Sequence, residues 1–304
     1  MRLSCPFVGP RPSRTLRIVS TPSTISAPPI QPARRTPTPW AAFIVIGAIG
    51  GVLSGLFAIG GAILMVPLLV WRAHMDQRQA AATSLVAIIP TAIVSSTTYL
   101  AHGYVNVVAA GLISIGAMAG AVVGTRALRR LPIEWLRWAF IAFILLVAAH
   151  MLTGSFEPVR AVALSVPAAL GYIGLGFLTG VTSGLFGIGG AIISVPILGA
   201  LFGFADVIAK GTALLVSIPT SLVGTVGNRR GDNPVDVRAG LILGVAAATT
   251  SVPAVYLAVA LPPAVSSMLF AALLVVIAIQ LTIKALHAMP TNVQKVTETG
   301  GSTT

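Results

Sequence analysis

Residues 54–69 read SGLFAIGGAILMVPLL, and residues 183–198 read SGLFGIGGAIISVPIL. The two stretches agree at 12 of 16 positions and stand 129 residues apart. Each is apolar enough for a membrane, yet each carries a glycine pair and a proline. Glycine permits positive φ and removes side-chain bulk. Proline lacks a backbone donor and disfavours helix in the residue before it. The pattern predicts a helix that breaks at Gly60-Gly61 and restarts near Ala62. It predicts the same break at Gly189-Gly190 and a restart near Ala191.

The register extends well beyond the motif. The same shift pairs Gly47, Gly51 and Gly55 with Gly176, Gly180 and Gly184. It pairs Thr83 with Thr212, Leu85 with Leu214, and Pro90-Thr91 with Pro219-Thr220. AGLI at 110–113 meets AGLI at 239–242. One ungapped register over this length is an internal duplication, and repeats of this size in apolar sequence are a transporter signature.

Composition sets the class. Of 304 residues, 56% are hydrophobic and 9% charged, against about 25% charged in soluble domains. Mean hydropathy is +0.94. Uncharged stretches long enough to span recur from Trp40 to His287, which predicts an all-α polytopic membrane protein. Net charge is +12, but the basic residues cluster between apolar segments and in the tails. Topology and lipid headgroups account for them, and no nucleic-acid partner is expected. Residues 1–39 hold six arginines and no acid, and read as a disordered cytoplasmic tail, with an organelle transit peptide the alternative; residues 289–304 form a second polar tail. The one cysteine, Cys5, lies in the first tail.

Repeat 1 spans 40–153 and repeat 2 spans 164–288, with five apolar segments each and about 8–10 membrane segments in all. The expected segments are 40–57, 62–71, 80–100, 105–128 and 134–153, then 164–186, 190–204, 209–227, 236–260 and 264–288. The second of each set is too short to span, so it is re-entrant or one arm of a broken pair. Arginines cluster beside Arg72 and Arg78, at Arg126, Arg129 and Arg130, and at Arg229, Arg230 and Arg238. The loops around His102 and Pro262-Pro263 have no Lys or Arg, and those holding Arg160 and Lys210 have one each. The positive-inside rule then puts both termini and the arginine-rich loops in the cytoplasm. The first two segments of each half enter and return on one side. Three crossings remain, so the halves are inverted repeats. The location expected is a bacterial plasma (inner) membrane.

Lipid tolerates broken helix only where the backbone is buried in protein or lines a polar cavity. Two inverted breaks are expected to meet near mid-membrane. There the restarted helices would present N–H groups, and helix N-termini favour anions. The candidate substrate contacts are therefore Gly60, Gly61 and Ala62 with Gly189, Gly190 and Ala191. Ser54 and Ser183 lie one turn before the glycine pairs and join them. Thr83 and Thr212 open the next helix, as N-caps or anion ligands. Ser84 and Ser217 are further hydroxyls, each without a hydroxyl at the matching position of the other half. Pro67, Pro90, Pro196 and Pro219 are expected kinks. The upstream glycines, spaced GxxxGxxxG, are read as packing residues.

Other chemistry is poorly served. None of the seven acids is central in an apolar segment, so no carboxylate proton relay is expected. The histidines show no metal-ligand spacing, and there is no Walker A loop. No enzyme activity, cofactor or metal is expected.

The doubled SGLFxIGGAIxxVPxL, each copy followed by a helix bearing IPT, resembles the TauE/SafE family, the sulfite exporter family. The resemblance covers roughly 40–288. Family members commonly read GGG where this chain has Gly60-Gly61-Ala62 and Gly189-Gly190-Ala191. The resemblance implies secondary transport, usually export, of small sulfur-containing anions such as sulfite, thiosulfate or sulfonates. An anion channel and a non-transporting membrane partner of sulfur-metabolising enzymes are the alternatives. Homodimerisation is left open.

Overall fold

A computed structural model describes residues 40–73, 75, 77–128, 138, 141–142, 145, 149, 165–229 and 235–287. Both tails and most of the expected 134–153 segment lie outside the described residues, as do Arg129, Arg130, Arg160 and Arg230.

The described elements are all helical: α1 (Trp40–Phe57), α2 (Ala62–Arg72), α3 (Gln77–Ala101), α4 (Val107–Leu128), α5 (Val166–Phe186), α6 (Ala191–Phe202), α7 (Asp206–Arg229), α8 (Val237–Ala260) and α9 (Pro263–His287). Their ends fall within three residues of the segments read from sequence. Local chemistry explains the ends. Asn106 and Asp236 cap α4 and α8 by accepting the N–H groups of Ala109 and Ala239, both at 3.0 Å. Gly203 closes α6 in the left-handed region at φ 67°. Among the described residues, six helices are long and apolar enough to cross a membrane, namely α1, α3, α4, α5, α7 and α8, and the chain is a multi-pass membrane protein. The arms α2 and α6 have 11 and 12 residues. At ~1.5 Å per residue they reach about half-way across a ~30 Å hydrocarbon core.

The helices exchange partners between the halves. In α1, a Cβ at Gly47 would lie 2.5 Å from Leu243 O, at Gly51 2.1 Å from Ala247 O, and at Gly55 2.5 Å from Ser251 O. In α5, a Cβ at Gly176, Gly180 or Gly184 would lie 2.0, 2.0 or 2.7 Å from the carbonyl oxygens of Ile113, Ala117 and Ala121. Thus α1 runs alongside α8 and α5 alongside α4, each pair backbone to backbone. The upstream glycines are packing residues. In lipid, where water does not drive apolar surfaces together, such close approach supplies the attraction.

Chain direction follows from the same contacts. Numbers rise together in α1 with α8 and in α4 with α5. They also rise together in α3 with α8, where Thr83 meets Asp236 and Thr91 meets Gly244. In α4 and α7, Asn106 meets Thr212 and Thr125 meets Gly227. They run oppositely in α3 and α7: Leu85 sits by Gly224 and Tyr99 by Gly211. Hence α1, α3 and α8 point one way, and α4, α5 and α7 the other. This gathers the described arginines 72, 78, 126, 229 and 238 at one end of the bundle, hereafter the arginine end.

Two readings need correction. The duplication is not ungapped throughout. Ile113, Ala117 and Ala121 take the places of Leu243, Ala247 and Ser251, a shift of 130, and the caps Asn106 and Asp236 differ by the same amount. One extra residue lies between the third and fourth helices of the second half, so the two AGLI stretches are one residue out of structural register. Lys210, read as a loop cation, lies inside α7 and is fully buried.

Candidate functional site

The two breaks are built alike. The N–H of Ala58 donates to Ser54 O at 2.8 Å, closing α1, and Ala58 sits in the left-handed region at φ 58°. The N–H of Gly187 donates to Ser183 O at 2.8 Å, closing α5, with φ 70°. An isoleucine follows, then the glycine pair: Gly60 and Gly61 at φ 69° and 70°, Gly189 and Gly190 at 74° and 76°. The arms restart at Ala62 and Ala191, as the sequence predicts, and no side chain caps either start. The helices stop three residues before each glycine pair because Ala58 and Gly187 already reverse the backbone.

Ala58 is the one described non-glycine residue at positive φ. The left-handed conformation costs an L-residue about 1–2 kcal/mol. Its counterpart in the second break is glycine. Ala58→Gly is therefore expected to raise the unfolding temperature slightly, by the equivalent of about 0.5–1 kcal/mol after the extra flexibility of glycine in the unfolded chain is subtracted. Thermal unfolding of purified protein in detergent reads this directly.

Both breaks converge on one side chain. A Cβ at Gly60 would lie 3.3 Å from Ile88 Cγ1, and one at Gly189 3.1 Å from Ile88 Cδ1. Ile88 lies at the middle of α3 and is fully buried. The two breaks therefore approach each other at the middle of α3. The first break is reached from the arginine-poor end, where Tyr99 Oη donates to Gly55 O at 2.8 Å. The second lies towards the arginine end, where a Cβ at Gly187 would lie 2.4 Å from Ala81 O.

The two serines without hydroxyl mates have one purpose between them. Ser84 Oγ shares its proton between Ala81 O at 2.8 Å and Gly187 O at 2.9 Å. Ser217 Oγ is placed to donate to Gly189 O and Ala213 O, both at 2.9 Å. They come from α3 and α7 and hold carbonyls of the same, second break. Position 88, the counterpart of Ser217, holds the central isoleucine instead. The arms also differ: Met65 packs on Gly50 in the first half, whereas Ser194 and Thr179 at the matching positions share a hydrogen bond of 2.9 Å. The second break is thus the more polar.

Thr83 and Thr212 are not helix starts. They lie within α3 and α7, fully buried. Each oxygen accepts the backbone N–H of the residue that caps a neighbouring helix: Asp236 N–H to Thr83 Oγ1 at 3.3 Å, and Asn106 N–H to Thr212 Oγ1 at 3.1 Å. Pro67, Pro90, Pro196 and Pro219 all lie inside helices without interrupting them. The breaks lie at Ala58 or Gly187 and the glycine pair that follows, not at the prolines.

Ser54 and Ser183 are different again. Both are fully buried, and neither Oγ has a hydrogen-bond partner. An unsatisfied buried hydroxyl costs about 1–3 kcal/mol. That the same two repeat positions bear this cost, each one turn before a break, distinguishes them from the serines that clip backbone. Among the described residues, no charged side chain contacts Ile88 or the glycine pairs. The polar groups at the convergence are helix N-termini, break carbonyls and hydroxyls. Among the described residues, no three His, Cys, Asp or Glu side chains come together as a metal site.

Sequence reasoning missed Ile88, the Thr179–Ser194 pair and Tyr99. The 129-residue register itself flags the first two, since it sets Ile88 against Ser217 and Met65 against Ser194.

Comparison with known proteins gives a consistent result. The family described as Sulfite exporter TauE/SafE matches residues 11–151 and 172–302. The chain is 27% identical over 209 residues to the Probable membrane transporter protein YunE of Bacillus subtilis (strain 168), covering 61% of this chain and 76% of that one. It is 32% identical over 89 residues to the Probable membrane transporter protein YdhB of the same organism, covering 29% and 36%. It is 29% identical over 117 residues to the Probable membrane transporter protein MamO of Paramagnetospirillum magneticum, covering 36% and 18%. No solved structure gives a significant match.

Proposed function

Because the chain belongs to the sulfite exporter TauE/SafE family, we propose that it is a secondary transporter exporting small sulfur-containing anions such as sulfite, thiosulfate or sulfonates. The carrying observation is the convergence of two oppositely approached glycine breaks on Ile88. The halves act as inverted repeats, a reading supported by the antiparallel course of the matched helices α3 and α7. Substrate sits between the starts of α2 and α6. It takes hydrogen bonds from the backbone at Gly60-Gly61-Ala62 and Gly189-Gly190-Ala191 and from Ser54 and Ser183. Helix N-termini provide positive potential there without a charged side chain. Ser84, Ser217, Thr83 and Thr212 hold the surrounding backbone. Alternating access exposes the first break to the arginine-poor side and the second to the arginine side. By the positive-inside rule the arginine end faces the cytoplasm of a bacterial inner membrane, with both termini there too.

The test is reconstitution. Purified protein in liposomes is expected to carry at least one of sulfite, thiosulfate or sulfoacetate with saturable kinetics, and that anion is expected to raise the unfolding temperature by linkage. Folded protein that moves none of them would overturn the reading. Non-saturating flux at channel rates would replace it with a pore.

A further inference from the structure

The most unusual group outside the convergence is Lys210. Its side chain is fully buried, while its partner Asp206, one turn earlier on α7, is 12% exposed. The Nζ donates to Asp206 Oδ2 at 2.7 Å and to Ser266 Oγ on α9. It also lies 5.9 Å from the centre of the Phe57 ring. Phe57 is the last residue of α1, directly before the first break, and stacks on Phe270 of α9 with ring centres 5.8 Å apart. An ammonium is thus held beside the first break, at the arginine-poor end.

The fold does not require this pair. The repeat positions of Lys210 and Asp206 are Ala81 and Gln77. At the equivalent helix start of the first half, Gln77 and Ala81 cannot form an ion pair with each other. A buried ion pair often contributes no more than an apolar pair of the same volume, whereas a buried charge left alone is strongly destabilising. As an ammonium, Lys210 is therefore favoured by an anionic partner, but nothing obliges that partner to be Asp206. The aspartate is the part that can leave. It sits in the first turn of α7, where the helix dipole favours a carboxylate, and it is partly exposed.

We propose that Lys210 is an anion-binding residue of the transport path, with the Asp206 carboxylate occupying the anion's place when no substrate is bound. A small oxyanion displaces the carboxylate, accepts from Lys210 Nζ and Ser266 Oγ, and is passed along Phe57 to the backbone N–H groups of the first break. Asp206 returns to Lys210 when the anion leaves, so the buried ammonium is never unpaired. Because the pair exists in one half only, the two mouths of the carrier differ in anion affinity. The inference rests on the proposed anion transport.

The test uses full-length protein in detergent, titrated with sodium sulfite, sodium thiosulfate and sodium sulfoacetate by calorimetry, with thermal unfolding as a fold control. Asp206→Asn removes the competitor and is expected to tighten binding of the preferred anion by about tenfold. The double variant Asp206→Asn with Lys210→Met has no buried charge to strand, so it is expected to stay folded and to bind at least tenfold more weakly than wild type. A folded double variant with wild-type affinity overturns the role of Lys210 and leaves the transport reading standing. Unchanged affinity in Asp206→Asn likewise overturns the displacement. A stable wild type that binds none of the three anions overturns the transport reading and this inference together.

Discussion

Gly180→Leu is expected to prevent stable assembly of the bundle. A Cβ at this position would lie 2.0 Å from Ala117 O and 2.7 Å from both Ala117 C and Ala121 N. These are backbone atoms of α4, and no rotamer change moves them. The helices must separate, and α4 returns the same contact: a Cβ at Gly120 would lie 2.1 Å from Phe177 O. Separating α4 from α5 removes dispersion contacts along both ridges, in a solvent whose chains are as apolar as the side chains. Overpacking typically costs about 1–3 kcal/mol and more where the neighbours cannot yield. A loss of about 3 kcal/mol or more is expected here, read as failure to recover monodisperse protein or as a large fall in unfolding temperature. Gly174→Leu is the control. It lies on the same helix with nothing within 4 Å of its Cβ, and it is expected to leave recovery and unfolding temperature close to wild type.

Why this ridge is readable in sequence, and its partner is not, has a physical basis. Gly176, Gly180 and Gly184 recur every fourth residue, and only close backbone approach makes that spacing useful. The spacing is silent about what approaches. The answer, a helix of the other half, depends on the exchange of the fourth helices between repeats. Element ends were legible because each has a local cause: a cap at Asn106 or Asp236, a left-handed residue at Ala58, Gly187 or Gly203. Roles set by non-local partners were hidden. Thr83 looks like the start of a helix because polar and charged residues precede it, yet its oxygen serves a cap 153 residues away. Ser84 and Ser217 look unrelated in sequence because they come from different helices to hold one loop. Lys210 shows the same limit. Its four-residue spacing from Asp206 is visible, but its complete burial depends on α9 and Phe57 closing over it.

Within the candidate site, Gly61→Ala is expected to reduce transport far more than Gly60→Ala, although the two glycines share a positive φ of 70° and 69°. The left-handed conformation costs an alanine about 1–2 kcal/mol at either position, so this term cannot separate them. Surroundings do. At Gly60 the new methyl meets Ile88 Cγ1 at 3.3 Å, the side of a flexible chain that can shift by a few tenths of an ångström. At Gly61 it meets Gly50 O at 2.4 Å and Gly50 C at 2.8 Å, the backbone of α1. The start of α2 must move away from α1, and with it the N–H groups proposed to hold the anion. Gly190→Ala falls between, because its nearest neighbour is the Thr179 methyl at 2.4 Å, with Thr179 O at 2.8 Å behind it. At ~1.4 kcal/mol per factor of ten, a further cost of about 1–3 kcal/mol from displacement at Gly61 corresponds to roughly a 5- to 140-fold loss of flux. Flux is to be measured in liposomes at matched amounts of inserted, folded protein. If Gly61→Ala folds and carries the anion at the wild-type rate, the backbone at the start of α2 is not part of the substrate site. The order Gly61, Gly190, Gly60 is the specific signature. A role limited to general stability would instead make flux per folded molecule equal in all three.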